Sequence, residues 1–180
     1  CASRYVGRDL GREVALVMER EADESARQYH DDLRAEAGVK VMHVGEGPLE
    51  SLPLLKHLRG GGIVAVQLDR LPKGMRSVTV QFCGGPWQVP LGPFLLASLA
   101  SVPVVALFAG RRAPFDYEIH SIGPWRLEPR APQEALTAAA QAATSAMESF
   151  LRRWPTEWYH FADAPHPQCD RDSAPPHRAA

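Results

Sequence analysis

The chain has 180 residues, 45% of them hydrophobic and 23% charged, a balance that suits one globular domain with its own core and argues against a disordered or fibrous chain. Its 20 Lys and Arg stand against 21 Asp and Glu, so no net field recommends a nucleic-acid partner. Cys1, Cys83 and Cys169 are odd in number and far apart, which argues against a disulfide scaffold or a CxxC zinc site and for a reducing compartment.

In chain order, "REVALVME" is expected as a strand. Ala22, Ala26, Tyr29, Leu33 and Ala37 then recur at helical spacing until Gly38. "VKVMHVG" reads as a second strand, and Pro48 opens a helix expected to bury Leu49, Leu52 and Leu55 before Gly60 ends it. Ile63 to Gln67 reads as a buried strand, from which Leu68 leads into the charged pair Asp69 and Arg70. "SVTVQF" alternates as a half-covered strand does. Pro90, Gly92 and Pro93 introduce the small-residue helix "LLASLAS", followed by the all-apolar strand "VPVVALFA". "FDYEIHS" alternates again, as a sheet edge would. Pro132 opens a long helix carrying Leu136, Ala140, Ala143, Met147, Phe150 and Leu151, with Trp154, Trp158, Tyr159 and Phe161 just beyond it.

Strands alternating with helices, two of the strands apolar on both faces, predict an α/β domain over residues 1–163 with a mostly parallel central sheet flanked by helices. Residues 164–180 are rich in Pro, His, Asp and Ser without periodicity and are expected to be a disordered tail. No apolar run approaches the roughly 20 residues that span a bilayer, and no signal peptide opens the chain. Membrane contact is therefore expected to be peripheral or to involve residues outside this chain.

Burying an unpaired charge is costly, so charges at the end of a buried strand are expected to be paired or to face a ligand. Asp69 and Arg70 stand at such an end, where a parallel sheet gathers ligands. Arg70 offers a permanently charged fork suited to phosphate, and Asp69 could hold that fork or accept from a sugar hydroxyl. Alternatively the two pair locally and close the turn "DRLPKG", leaving Lys73 and Arg76 solvated.

In "FCGGPWQVPLGP", Gly84 and Gly85 could let backbone approach a thioester or phosphate, and the helix from Gly92 presents free N–H groups after Pro90. A hairpin-like turn before a Pro-initiated helix explains the same residues. Cys83 reads as a small buried hydrophobe, Trp87 as core or the lining of an acyl groove, and His160 as packing among aromatics. Arg111 and Arg112 follow a strand and could meet phosphate or solvent. In the tail, His166, Cys169, Asp170 and His177 are metal-ligand types in a disordered context, and no metal or cofactor is expected. GxSxG, Walker, HExxH and dinucleotide fingerprints do not occur.

The segments "LRGGGIVAVQLDR", "VTVQFCGGPWQVPLGPFLLASLASVPVVALFAGRR" and "RRWPTEWYHFAD" together resemble the C-terminal two thirds of the lysophospholipid acyltransferase superfamily. The branch they resemble is that of the late lipid A and phosphatidylinositol mannoside acyltransferases. The likeness rests on Gly62, Val64 and Asp69, then on Val80, Phe82, Gly84, Pro86, Pro90, Gly92, Pro93, Ala97 and Pro103, then on Pro155, Trp158 and His160. It implies a bacterial enzyme of lipid biosynthesis on the cytoplasmic face of the inner membrane. Such an enzyme moves a fatty acyl chain from acyl-CoA or acyl carrier protein to a hydroxyl of a glycolipid or lysophospholipid. Asp69, Arg70, Gly84, Gly85, Pro90 and Gly92 would bind substrate. The family's base is a His separated by four residues from Asp or Glu, and none of the seven histidines here meets that pattern. Cys1 would fall shortly after that motif, so the chain is expected to be an N-terminally truncated fragment, inactive alone. Otherwise it is a non-catalytic lipid-binding descendant, or an unrelated α/β domain that binds a small phosphorylated molecule.

Overall fold

The computed structural model describes residues 11–19, 28, 32, 40–44, 51–72 and 74–160. The expected tail, Lys73 and all but Gln28 and Asp32 of the helix expected over residues 22–37 lie outside them. Among the described residues, β1 (Val14–Glu19), β2 (Lys40–Val44), α1 (Leu52–Arg59) and β3 (Ile63–Ala65) come first. A hairpin follows, formed by β4 (Ser77–Phe82) and β5 (Gly85–Pro90), and then α2 (Gly92–Ala100). A second hairpin, β6 (Val104–Ala113) and β7 (Asp116–Trp125), leads to the long helix α3 (Gln133–Arg153) and a short 3-10 turn, Pro155–Glu157.

The chain is α/β and partly parallel, but its parallel sheet is small. Only β2-β1-β3 are parallel, while β4 with β5 and β6 with β7 form antiparallel pairs. The expectation of a mostly parallel central sheet fails at two turns. Phe82 pairs with Gly85 across a two-residue loop in which Cys83 (φ 50°) and Gly84 (φ 82°) are both left-handed. Ala113 pairs with Asp116 across an equally short loop. Loops that short can join only antiparallel strands, and two positive φ values mark the turn that matches strand twist.

β5, within residues expected to form a hairpin-like turn before a helix, is a strand that contains Pro86 and Pro90. A two-residue loop makes Phe82 and Gly85 a hydrogen-bonded pair, so by alternation Gln81 opposite Pro86 and Ser77 opposite Pro90 are non-hydrogen-bonded pairs. Neither proline removes a ladder bond. The Gln81 N–H and C=O, which face away from β5, are met by the side-chain amide of Gln141 on α3, at 2.7 and 2.9 Å. That amide caps the open edge of β4 as another strand would.

The core lies between the first hairpin, α2 and α3, where Val80, Val89, Leu91, Phe94, Leu136, Ala139, Ala140 and Ala143 are buried together. Ser98, fully buried on α2, donates to Glu128 O (2.7 Å) and accepts from Ala131 N–H (2.8 Å), which fixes the connection entering α3. The expected inward residues of α3 are buried, with Leu151 half-buried.

Three expectations of burial are corrected. On α1, Leu54 is buried and Leu52 is 53% exposed, because the helix begins at Leu52 and its 100° step puts Leu52 on the outer face with Lys56 and Arg59. The segment 63–67 pairs with β1 only as far as Ala65, and Val66 and Gln67 are exposed. β6 is covered on one face only, with Val105 and Leu107 exposed.

Glu148 on α3 accepts the Cys83 N–H at 2.9 Å and the Arg152 guanidinium at 2.6 Å. The Cys83 amide first and Arg152 second hold its carboxyl below the usual carboxylate range. A depressed folded-state value contributes stability above about pH 4.5, which is lost as pH falls through the lowered value. Glu148→Gln is therefore expected to flatten the fall in thermal midpoint between pH 5 and 3, roughly the carboxylate range, relative to the parent chain. An unchanged slope would show that this carboxylate does not carry the acid sensitivity.

Candidate functional site

The charged end of the β3 segment is built around Asp69. After Ala65 the chain leaves the parallel sheet on its carboxyl-terminal side, Leu68 packs against the hairpin core, and Asp69 meets the segment that follows α3. Trp158 Nε1–H donates to Asp69 Oδ2 at 3.1 Å, across 89 positions of sequence. His160 Nδ1 lies 3.9 Å from the same oxygen. That is close enough for electrostatic contact and too long for a hydrogen bond. The two side chains are 20% and 12% exposed, so the pair sits at the surface of the core rather than within it.

Aromatic rings hold this arrangement. The His160 ring stacks on Trp158 (centroids 5.0 Å, 18°) and meets Trp87 edge-on at 5.3 Å. Trp158 in turn stands edge-on to Phe82 at 5.4 Å and to Trp87 at 6.2 Å. Phe82 is buried and ends β4, while Trp87 opposes Val80 on β5. Thus Asp69, Phe82 with Trp87, and Trp158 with His160, from three separate stretches of sequence, form one cluster.

Arg70 is exposed and forms no ion pair with Asp69 or any other described residue. The local Asp–Arg pair weighed from sequence is thus not what occupies Asp69. Gly84 lies in the hairpin turn at the aromatic end of β4–β5, and Gly85 begins β5 there. Pro90 closes β5, and Gly92 begins α2 near Met75. The strand spans about 17 Å, so these two lie away from Gly84 and Gly85. The six residues expected to bind substrate are therefore divided between the two ends of the hairpin. Cys83 is half-buried, and burial first and Glu148 second push its thiol up, which disfavours the thiolate.

Arg76 and the pair Arg111 and Arg112 attach to different elements, and Lys73 lies outside the described residues. Arg76 accepts the Leu91 N–H through its carbonyl near the start of α2 and the inner part of α3. Arg111 and Arg112 follow Gly110, which touches Trp154 at the carboxyl end of α3. Arg76 is thus tied to the start of α2, and the arginine pair to the carboxyl end of α3.

Sequence reasoning underweighted His160 and did not connect Trp158 to Asp69. An indole donor and a carboxylate just beyond an apolar run were the available signals, but nothing in the sequence aligned them across 89 positions.

At the opposite, amino-terminal end of the parallel sheet opens a cleft of about 720 Å³, bordered by Arg12, Glu13, Lys40, Lys56 and His57. Most of its polar groups, though not the Lys56 ammonium, are already engaged. Lys40 pairs with Glu13 at 2.9 Å, and Arg12 donates to Gly61 O. The N–H groups of Gly60, Gly61 and Gly62 bond to Lys56, Leu58 and His57 carbonyls. The Asp69 cluster, with open acceptor capacity on a half-buried carboxylate, is the better candidate. Among the described residues, no group of three or more His, Cys, Asp or Glu could hold a metal ion, and no helix is long and apolar enough to cross a membrane. Compared with known proteins, the chain matches no family model and no curated protein.

Proposed function

We propose that these residues form the acceptor-binding and scaffold portion of an acyltransferase that moves a fatty acyl chain from an acyl thioester to a hydroxyl of a glycolipid or lysophospholipid. The observation that carries this reading is the Asp69 cluster. Residues from each of the three stretches on which the resemblance rests, Asp69, Phe82 with Trp87, and Trp158 with His160, meet at one place on the carboxyl-terminal side of the parallel strands. Asp69 would accept from an acceptor hydroxyl, and exposed Arg70 beside it would meet a head-group phosphate. The acyl donor would be acyl-CoA or acyl carrier protein, and the setting the cytoplasmic face of a bacterial inner membrane.

On this reading the base that deprotonates the acceptor is not among these 180 residues, since no His is separated by four residues from an acid. The chain alone is expected to consume no acyl thioester above background when lysolipid or glycolipid is supplied. A longer product of the same reading frame carrying an HxxxxD or HxxxxE segment is expected to transfer. Thioester-consumption assays on both decide it. Robust turnover by the 180 residues would place a base within them, and failure of both with every hydroxyl acceptor would overturn the transfer reading.

A further inference from the structure

The β6–β7 hairpin covers the core with one face. Phe108 and His120 oppose each other, and both rings lie against Phe150. On the other face the register sets Leu107 beside Ser121, Ala109 beside Ile119 and Arg111 beside Tyr117. Val105, Leu107, Ile119 and Tyr117 are all more than 40% exposed there. This apolar row ends at a tip where Phe115 is 98% exposed at φ 65°. A fully hydrated Phe ring on a left-handed backbone is doubly unfavourable for an isolated protein. Arg111 and Arg112 at the same tip are exposed and have no ion pair among the described residues; of the two nearby acids, Asp116 and Glu118, the second lies 3.3 Å from His120 Nε2.

We infer that the outer face and tip of this hairpin form a membrane-docking surface, with Phe115 entering the headgroup–acyl boundary of an anionic bilayer and Arg111 and Arg112 meeting lipid phosphates. The charge pattern selects this occupant. A projecting ring needs an apolar phase within a few ångströms of anions that can satisfy two unpaired guanidinium groups, and the interface of an anionic bilayer supplies both without a shaped pocket. Tyr117, beside Arg111, has the amphipathic ring suited to the same depth. This inference does not depend on the acyl-transfer reading, because its assay contains no acyl donor.

The test sediments the full chain with phosphatidylcholine vesicles with and without phosphatidylglycerol. Binding is expected only with the anionic lipid and is expected to fade as salt rises. Arg111→Ala and Arg112→Ala should each weaken partitioning about fivefold. Phe115→Gly should weaken it about tenfold or more while leaving the thermal midpoint equal or higher, because glycine accepts that φ. These opposite signs separate docking from a structural role. Three results would overturn the proposal: unchanged binding by Phe115→Gly, equal binding to neutral vesicles at any salt, or a concentration-dependent dimer that Phe115→Gly abolishes, which would make the face a self-association surface.

Discussion

Gly62→Ala is expected to lower stability by about 1–3 kcal/mol, the range for overpacking, and the thermal midpoint of a chain this size by roughly 2–10 °C. The cause is His57. Its Nε2 lies 3.1 Å from both Glu13 O and Ile63 O, and since carbonyls only accept, that nitrogen carries the proton and bridges the strands on either side of the β1–β3 pairing. The ring rests on the bare Cα of Gly62, where a Cβ would overlap it. The Gly62 N–H returns a bond to His57 O at 3.0 Å. A methyl group must therefore expel the imidazole, which removes its bridge to Ile63 O and the second donor that Glu13 O receives beside the Ile63 N–H, or shift the backbone entering β3. His57→Ala should cost stability by itself, and adding Gly62→Ala to it should cost much less than in the parent chain. Additive losses in that double-mutant cycle would show that some other contact confines Gly62. This glycine thus has a packing reason to be glycine, whatever the function.

How much of this was legible in the sequence follows from the range of each interaction. β4 and β7 were legible from alternation and α3 from helical spacing, because these are local consequences of which face is covered, while β1 and β2 were legible as short strand segments and α2 from the Pro and Gly residues that introduce it. The departures began where a local pattern had two solutions. "FCGG" could be a loop near a ligand or a tight turn, and the left-handed Cys83 and Gly84 decide for the turn. An apolar run such as "VPVVALFA" is the pattern of a strand buried on both faces, yet here half of it faces outward. Composition along one strand cannot report how many layers pack against it. In the site, Asp69 was visible as a charge at the end of an apolar run, but its partner depends on where the chain goes after α3. Nothing in local sequence fixes the distance between the Asp69 carboxylate and the Trp158 indole.

Replacing Asp69 should separate its two roles, as a latch for the terminal aromatic segment and as a ligand for an acceptor. Asp69→Ala removes the acceptor of the Trp158 indole N–H, a bond to a charged group of the kind that contributes about 1.5–3 kcal/mol, and withdraws the carboxylate that faces His160. The thermal midpoint should fall, and Trp158 fluorescence should report a more hydrated ring as its segment loosens from Phe82 and Trp87. Asp69→Asn keeps a carbonyl oxygen for the indole but removes the negative charge. It should therefore retain most of the stability, while any acceptor hydroxyl that the carboxylate receives would be held less tightly. In a transfer-competent form carrying the base, the Asn variant is expected to raise the acceptor KM about tenfold, the size of one charged hydrogen bond, with the donor KM unchanged. Equal loss of stability in both variants, with acceptor dependence unaltered in either, would reduce Asp69 to a latch, and the acceptor would then have to be sought elsewhere along the carboxyl ends of the parallel strands.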